Sequence, residues 1–507
     1  MTTGDSRQRV LITAVVMTAA VMQILDTTIV TVALPHMQGQ LGATASQIGW
    51  VLTSYLISSG IFMPLTGFMT DRFGQRNYLM ASIAGFTAAS VLCGLATSID
   101  QMVFYRLLQG VAGAGLVPSA QAILVNAYPA EERGRAMAIF GVGAMVGPIM
   151  GPTLGGYLTE VLNWRWTFFI NVPVGLLAFI GAWLIVPDTE RRERHADWLG
   201  FVFLVVAVSA MQYVLDRGQD LGWFGSHRIQ VVTAVSLFAY VCVILRNWEM
   251  GPKAIFELKI FRDRNFAISA LILAVFMFSM YGVLDLQPLM LESILGYPAF
   301  TTGLVLAPRG FASMASMFLA GRLITRIGAK PLIVMGIACT LFGTLVTTWY
   351  TPDVSPWWII WPILIQGFGL GLVFVPLATV SFATLPPEQS AEAAGVRQLS
   401  RTVGASLGVS VGSAVMADQT QTAWNQMGGH ITAFAGAVSQ YLRPLGLTIH
   451  DPRAGAVLAQ VLGKQAHFLG ILDAFYVMAW TVIIGLPLLL LVRKGAGKVR
   501  RSEAVET

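Results

Sequence analysis

Apolar stretches long enough to cross a lipid bilayer recur about fourteen times along this chain, and that pattern excludes almost every soluble architecture. A span needs about 20 apolar residues. Read at that window, spans start near Val10, Ile48, Tyr78, Met102, Arg135, Thr167, Trp198, Arg228, Phe266, Thr301, Lys330, Trp357, Ala393 and Phe468. In hydrocarbon each backbone polar group must be satisfied within its own segment, so stretches of this length fold as helices. Only 11% of the residues are charged against 55% hydrophobic, too few charges for an ordinary water-facing surface. The expected fold is an all-α polytopic membrane protein.

The chain also repeats itself in one direction. Gln109-Gly110 in "RLLQGVAGAGLVP" returns as Gln366-Gly367 in "ILIQGFGLGLVFVP", an offset of 257 residues. The glycines Gly147, Gly151 and Gly155 return at the same offset as Gly404, Gly408 and Gly412. "GFMTDRFGQR" from Gly67 returns as "GRLITRIGAK" from Gly321. Parallel repeats of this kind build two-halved membrane carriers. The copies are not equivalent: Arg106 is matched by Ile363, Asp71 by Thr325 and Pro148 by Ala405. One half folds without those residues, so the other holds them for more than folding.

Six spans with short loops need about 200 residues, less than the repeat offset. The excess is an insertion. The chain divides into a cytoplasmic N-terminus (1–9), a six-helix bundle (10–187), two inserted helices (188–250), a second six-helix bundle (251–492) and a basic tail (493–507). Few polar residues interrupt the inserted pair, which is expected beside the bundle facing lipid. A long extracytoplasmic loop is expected over 418–467, either a connector lying on the membrane surface or a docking surface for a partner.

Charge fixes orientation. With the N-terminus cytoplasmic, 24 Lys and Arg fall at inside ends and loops and 6 outside, while Arg106 and Arg309 lie within spans. Basic residues resist translocation, so both termini are expected in the cytoplasm. Arg397 and Arg401 read as part of this inside signal. The net charge of +6 therefore reports topology and implies no nucleic-acid partner. The first span contains Asp26 and no small-residue cleavage site, unlike a removable signal peptide. Cys93, Cys242 and Cys339 all fall in spans and suggest neither a disulfide framework nor a metal cluster.

Asp26 lies about 12 Å below the outer end of the first span, counting 1.5 Å per residue, and Arg106 in the fourth span reaches a similar depth. Either charge buried alone costs a few kcal/mol, so the two are expected to compensate each other. A carboxylate near a movable arginine can change its proton affinity with conformation, because burial and a neighbouring cation act in opposite senses. Asp26 and Arg106 are therefore the proton-coupling candidates. Asp285 and Arg309 form a possible second charged pair in the C-terminal half.

Two glycine patterns add moving parts. In "GFMTDRFGQR", Gly67, Asp71, Arg72, Gly74 and Arg76 form a turn between the second and third spans, read as a cytoplasmic gate; a plain tight turn is the simpler reading. In the fifth span, Gly143, Gly147-Pro148, Gly151-Pro152 and Gly155 recur every four residues, so the glycines share one face where backbones approach closely. Both this ladder and Gly404, Gly408 and Gly412 are read as packing between the moving halves.

These motifs together resemble the major facilitator superfamily, in particular its fourteen-span drug:proton antiporter branch (EmrB/QacA-type). "GFMTDRFGQR" is similar to the superfamily's turn between spans two and three, and "RLLQGVAGAG" to its span-four motif. "GVGAMVGPIMGP" is similar to the span-five antiporter motif, and "LDTTIVTVALP" and "WRWTFFINVPVG" to motifs of the branch; Thr31 stands where the branch usually has asparagine. The resemblance covers essentially the whole chain. It implies two six-helix bundles plus two extra helices in a bacterial inner membrane. The implied activity is export of lipophilic or amphipathic compounds by alternating access, in exchange for protons. No cofactor beyond the coupling proton is expected, and the partners implied are the substrate, membrane lipids and an adaptor protein outside the membrane. A proton symporter for a polar metabolite is the alternative, and the span-five motif argues against it. A membrane enzyme on lipid-linked substrates would need a carboxylate or histidine cluster, whereas six histidines lie scattered. A transport-inactive sensor would carry a large soluble domain.

Overall fold

The computed structural model describes residues 6–491 except 44, 130–131, 190, 192–196, 220, 252–257, 432–435 and 449. The basic tail 493–507, residues 1–5 of the N-terminus, Arg192, Arg194, Lys253 and the surroundings of the Pro152 side chain lie outside the described residues. Fourteen long helices organise the rest. The first bundle holds α1 (Ser6–Gln40), α2 (Trp50–Phe73), α3 (Gln75–Leu95), α4 (Ile99–Ala127), α5 (Arg133–Val161) and α6 (Trp166–Ile185). The inserted pair is α7 (Trp198–Arg217) and α8 (His227–Met250). The second bundle holds α9 (Arg264–Leu289), α10 (Ala299–Ile327), α11 (Ala329–Thr347), α12 (Pro356–Ala383), α13 (Ser390–Gly428) and α14 (Pro452–Ile483). Among the described residues no strand occurs.

Thirteen of these helices are long and apolar enough to cross a membrane. The fourteenth, α13, carries Glu392, Arg397, Gln398 and Arg401 in its first turns, which dilutes its apolar content. It packs along α9 and α14 all the same. The expected loop over 418–467 is mostly helix instead. α13 continues to Gly428 and α14 starts at Pro452, sixteen residues before the expected start. At 1.5 Å per residue the 39 residues of α13 run about 58 Å, well beyond a hydrocarbon core of about 30 Å. The sequence hid this because the extension packs with small residues rather than with a continuous apolar run. Gly470 lies against Thr420 and Gly463 against Trp424, so the two helices form a hairpin that projects from the bundle. Val438, Leu442 and Ala454 close its tip.

The inserted pair attaches at one seam. α7 packs on α2 and α13, and α8 packs on α7. Phe201 meets the Phe62 ring edge-on at 5.2 Å, and Ser410 Oγ donates to the Leu215 carbonyl at 3.0 Å. Leu237, Phe238 and Trp248 of α8 stay exposed, an apolar exterior that suits lipid.

Both glycine ladders sit inside their own halves. A Cβ at Gly147 would strike Ile24, and one at Gly155 would lie 2.8 Å from the Ile29 carbonyl, both on α1. Gly404 and Gly408 meet the Ala274 and Phe278 carbonyls of α9, and Gly412 meets Gly282. The ladders therefore weld α5 to α1 and α13 to α9, which corrects their reading as packing between halves. A helix has several faces, and spacing alone does not say which neighbour a face meets. The face of α5 that does meet the other half carries Gly134, Ala138, Gly141 and Ile149, against Ile324, Gly321, Met317 and Gly310 of α10.

The end of the bundle that holds the start of α1, the α2–α3 turn and the start of α5 is rich in arginine, and is called the basic end here. There Gly67 of α2 touches Glu392 of α13, Gly395 touches the Met63 carbonyl, and Arg133 Nη1 donates to the Phe382 carbonyl at 3.2 Å. The close glycine contacts between halves run from this end only to Gly310 against Ile149, at mid-helix.

Candidate functional site

In the first bundle, five helices converge on one buried carboxylate. Asp26 on α1 and Arg106 on α4 are both completely buried, and Arg106 Nη1 donates to Asp26 Oδ2 at 2.7 Å. The same nitrogen donates to Gln109 Oε1 at 2.7 Å, one helical turn along α4. Gln109 Nε2 donates back to Asp26 Oδ1 at 3.0 Å, and Asn171 Nδ2 of α6 donates to that oxygen at 2.7 Å. Ser90 of α3 accepts from Asn171 at 2.8 Å and from Gln109 at 3.2 Å, and donates to the Phe168 carbonyl at 3.1 Å. From α2, the Val51 carbonyl accepts from Arg106 Nε at 3.0 Å, and the guanidinium stacks 4.4 Å from the Tyr55 ring centre.

Local folding places these groups. Ser98 caps α4 by accepting from Gln101 N, which sets the helix that carries Arg106 and Gln109. α4 breaks after Gly113 and restarts at Leu116. The restart frees backbone N–H groups, and buried Gln23 Oε1 on α1 accepts one of them, from Val117, at 3.1 Å. Gly110 lets α4 lie directly on Ser58 and the Tyr55 carbonyl of α2.

The expected proximity of Asp26 and Arg106 is thus a direct ion pair. Gln109 marked the repeat in the sequence but was assigned no role, and Asn171 stood inside a recognised motif, so a polar residue in an apolar span was its available signal. Ser90 had no signal, because serine is common in such helices. Among the described residues no group of His, Cys, Asp and Glu could hold a metal.

The second bundle does not repeat this site. Arg309 on α10 donates through Nη2 to Gln366 Oε1 at 2.8 Å and to Gln287 Oε1. Asp285 is exposed on α9 and makes no pair with Arg309, which corrects that expectation. Two residues along a helix turn a side chain about 200°, so Gln287 faces inward where Asp285 does not. Ile363, in the repeat position of Arg106, is buried among apolar neighbours.

The α2–α3 turn divides its candidates. Gly67 is at the contact between halves: a Cβ there would lie 2.7 Å from Glu392 Cβ. Gly74 and Arg76 are not. Gly74 adopts φ +87°, a conformation glycine alone takes readily, and abuts Asp188. The Arg76 backbone N–H donates to Asp188 Oδ1 at 3.3 Å and its guanidinium lies 3.9 Å from Oδ2, a contact with the segment that follows α6 and not with the second bundle. Asp71 and Arg72 end α2 and are each engaged by a partner. Arg397 and Arg401 are also more than inside-facing markers. Arg397 is 1% exposed and stacks 5.0 Å from the Phe374 ring, while Arg401 Nη2 donates to Tyr281 Oη at 3.3 Å.

The Major Facilitator Superfamily profile matches residues 16–409. The chain belongs to the major facilitator superfamily. It is 31% identical over 492 residues to the multidrug export protein EmrB of Escherichia coli K12, covering 95% of each chain. It is 32% identical over 484 residues to the fatty acid resistance protein FarB of Neisseria gonorrhoeae, covering 94% of each. The human organic anion transporter MFSD10 shares the fold with a TM-score of 0.64 at 14% identity, over 95% of this chain and 99% of that one.

A superfamily transporter moves its substrate without covalent chemistry, so what this buried cluster can do is rearrange its hydrogen bonds. Asp26 accepts three N–H donors. Putting a proton on it would turn one acceptor oxygen into an O–H donor and expel at least one of those partners. Arg106 links that event to α2 through Val51 and Tyr55, and Asn171 links it to α6. A protonation change at Asp26 is therefore mechanically connected to α1, α2, α3, α4 and α6 at once.

Proposed function

We propose that this protein is a proton-coupled exporter of lipophilic or amphipathic compounds, working by alternating access between its two six-helix halves. The observation that carries the reading is the Asp26–Arg106 ion pair, fully buried and tied to three helices besides the two it joins. Relatives over nearly the whole chain are named as multidrug export proteins, which supports the direction of transport. The excess of Lys and Arg at the basic end supports reading it as cytoplasmic, with both termini in the cytoplasm and the protein in a bacterial inner membrane. The halves then touch on the cytoplasmic side, the arrangement of a carrier sealed inward.

One charge crossing 100 mV is worth about 2.3 kcal/mol, enough to sustain a gradient on the order of tens-fold. Protons serve as the coupling ion, with no other cofactor. The projecting α13–α14 hairpin is the surface an adaptor protein outside the membrane would meet. Reconstituted vesicles loaded with a fluorescent amphipathic dye test the core of the reading. An imposed pH difference should drive dye transport and a counterflow of protons in the native protein, and neither in Asp26→Asn. Coupled transport that survives in Asp26→Asn rejects the proposal.

A further inference from the structure

The second bundle holds a buried cation with no carboxylate beside it. Among the described residues, Arg309 finds only the side-chain oxygens of Gln287 and Gln366. In the first bundle the repeat partner of Gln366, Gln109, shares its arginine with Asp26. An arginine enclosed in a membrane bundle without a counter-charge is costly, by a few kcal/mol on insertion scales. Neutral amide oxygens stabilise it only in part.

A cavity of about 20 Å³ adjoins this arginine, lined by Arg309, Gln366, Thr340 and Thr344 with Phe276 and Leu370. Three of the polar lining residues carry a buried donor without a hydrogen-bond partner: Arg309 Nε, Gln366 Nε2 and the Thr340 hydroxyl. Gln366 spends its oxygen on the guanidinium, which leaves its amide nitrogen as a donor. Every such group can donate, one is cationic, and no acid lines the space. Arg309, Gln366 and Thr340 are each more than nine-tenths buried.

We infer that Arg309, Gln366 and Thr340 form a binding site for one halide-sized monovalent anion, with chloride as the physiological occupant. Convergent donors around a cation select negative charge. The size favours a small occupant: the space, about 20 Å³, is of the order needed by one or a few waters, so a monatomic ion fits it better than sulfate, phosphate or a carboxylate. The ion completes in the second bundle the neutralisation that Asp26 supplies in the first. The inference stands on packing and charge alone and does not depend on the direction or coupling of transport.

The test uses purified full-length protein in lipid nanodiscs, with melting followed in sodium chloride, bromide, gluconate and sulfate at matched ionic strength. Chloride and bromide should raise Tm by about 2 °C or more, saturating with concentration, and gluconate and sulfate should not. Thr340→Val keeps the volume and removes one donor, so it should weaken the apparent halide affinity several-fold; Arg309→Met should abolish the halide response. In crystals, bromide should give anomalous density within hydrogen-bond reach of Arg309 Nε. Equal melting in all four salts overturns the inference, as does a halide response unchanged in both variants. Because the native protein is compared with itself across salts, a poorly folding Arg309→Met leaves the test intact.

Discussion

Gly67 and Glu392 meet where the two halves come together at the basic end: a Cβ on Gly67 would lie 2.7 Å from Glu392 Cβ and 2.9 Å from its Cα. Neither is the tip of a flexible chain, so a side chain at position 67 forces α2 and α13 apart. Gly67→Val should shift the protein away from the state closed at this end, with little loss of folding because the clash is between halves and not within one. Spin labels on α2 and α13 at the basic end, measured by pulsed dipolar spectroscopy, should show the short-distance population reduced several-fold. An unchanged distance distribution would refute the gate assigned to Gly67.

Asn171 holds the buried carboxylate from a helix that neither charged residue belongs to. It donates to Asp26 Oδ1 at 2.7 Å and to Ser90 Oγ at 2.8 Å. Asn171→Leu removes both donors and leaves the Asp26 and Ser90 oxygens short of a partner, at about 1–3 kcal/mol per buried group. Lower Tm and at least tenfold slower proton-driven transport are expected. Asn171→Ser, which keeps a donor but shortens its reach, should recover less than half of the activity. Native transport rates in Asn171→Leu would show that α6 plays no part in the switch.

Arg106 is used as a fork rather than as a point charge. Nε serves Val51, Nη1 serves Asp26 and Gln109, and the plane stacks on Tyr55. Lysine has the charge without the plane and cannot occupy these positions together. Arg106→Lys should insert and fold, since a positive charge still faces Asp26, yet lose most coupled transport. The check is dye transport and proton counterflow from the same vesicles, normalised to inserted protein.

Much of this is legible in the sequence itself. Thirteen of the fourteen helix starts lie close to where apolar windows place them, because bilayer thickness dictates helix length. The Asp26–Arg106 pair was legible too, since two opposite charges at one depth have few alternatives in hydrocarbon. What escaped was neighbour identity. Asp285 and Arg309 satisfied the same rule of opposite charges in one half, yet two residues of helical rotation put Gln287 where Asp285 was expected. The α14 start was missed because the turns before Phe468 are held by packing at Ala454 and Gly463, which leaves no apolar run to read. Ser90 and Asn171 matter through the partners that tertiary folding supplies, and a linear sequence does not list those partners.

Close glycine contacts give a last prediction, because those within a half and those between halves do different work. Gly408 lies against the Phe278 carbonyl on α9, within one half, whereas Gly141 lies 2.7 Å (by its would-be Cβ) from the Met317 sulfur of the other half. Methionine is flexible and can yield, while a carbonyl in a helix cannot move without the helix. Gly408→Val should therefore separate α13 from α9 in every state, lowering Tm by several degrees and reducing inserted protein. Gly141→Ala should leave Tm within about 1 °C and act instead on the exchange between states, which fluorescence from labels across α5 and α10 would report as a changed population ratio. If both variants lose stability alike, α5 and α10 are as rigidly joined as α9 and α13, and the halves do not part along that face. Retained Tm in Gly408→Val would instead show that the α9–α13 contact is one the carrier opens and closes.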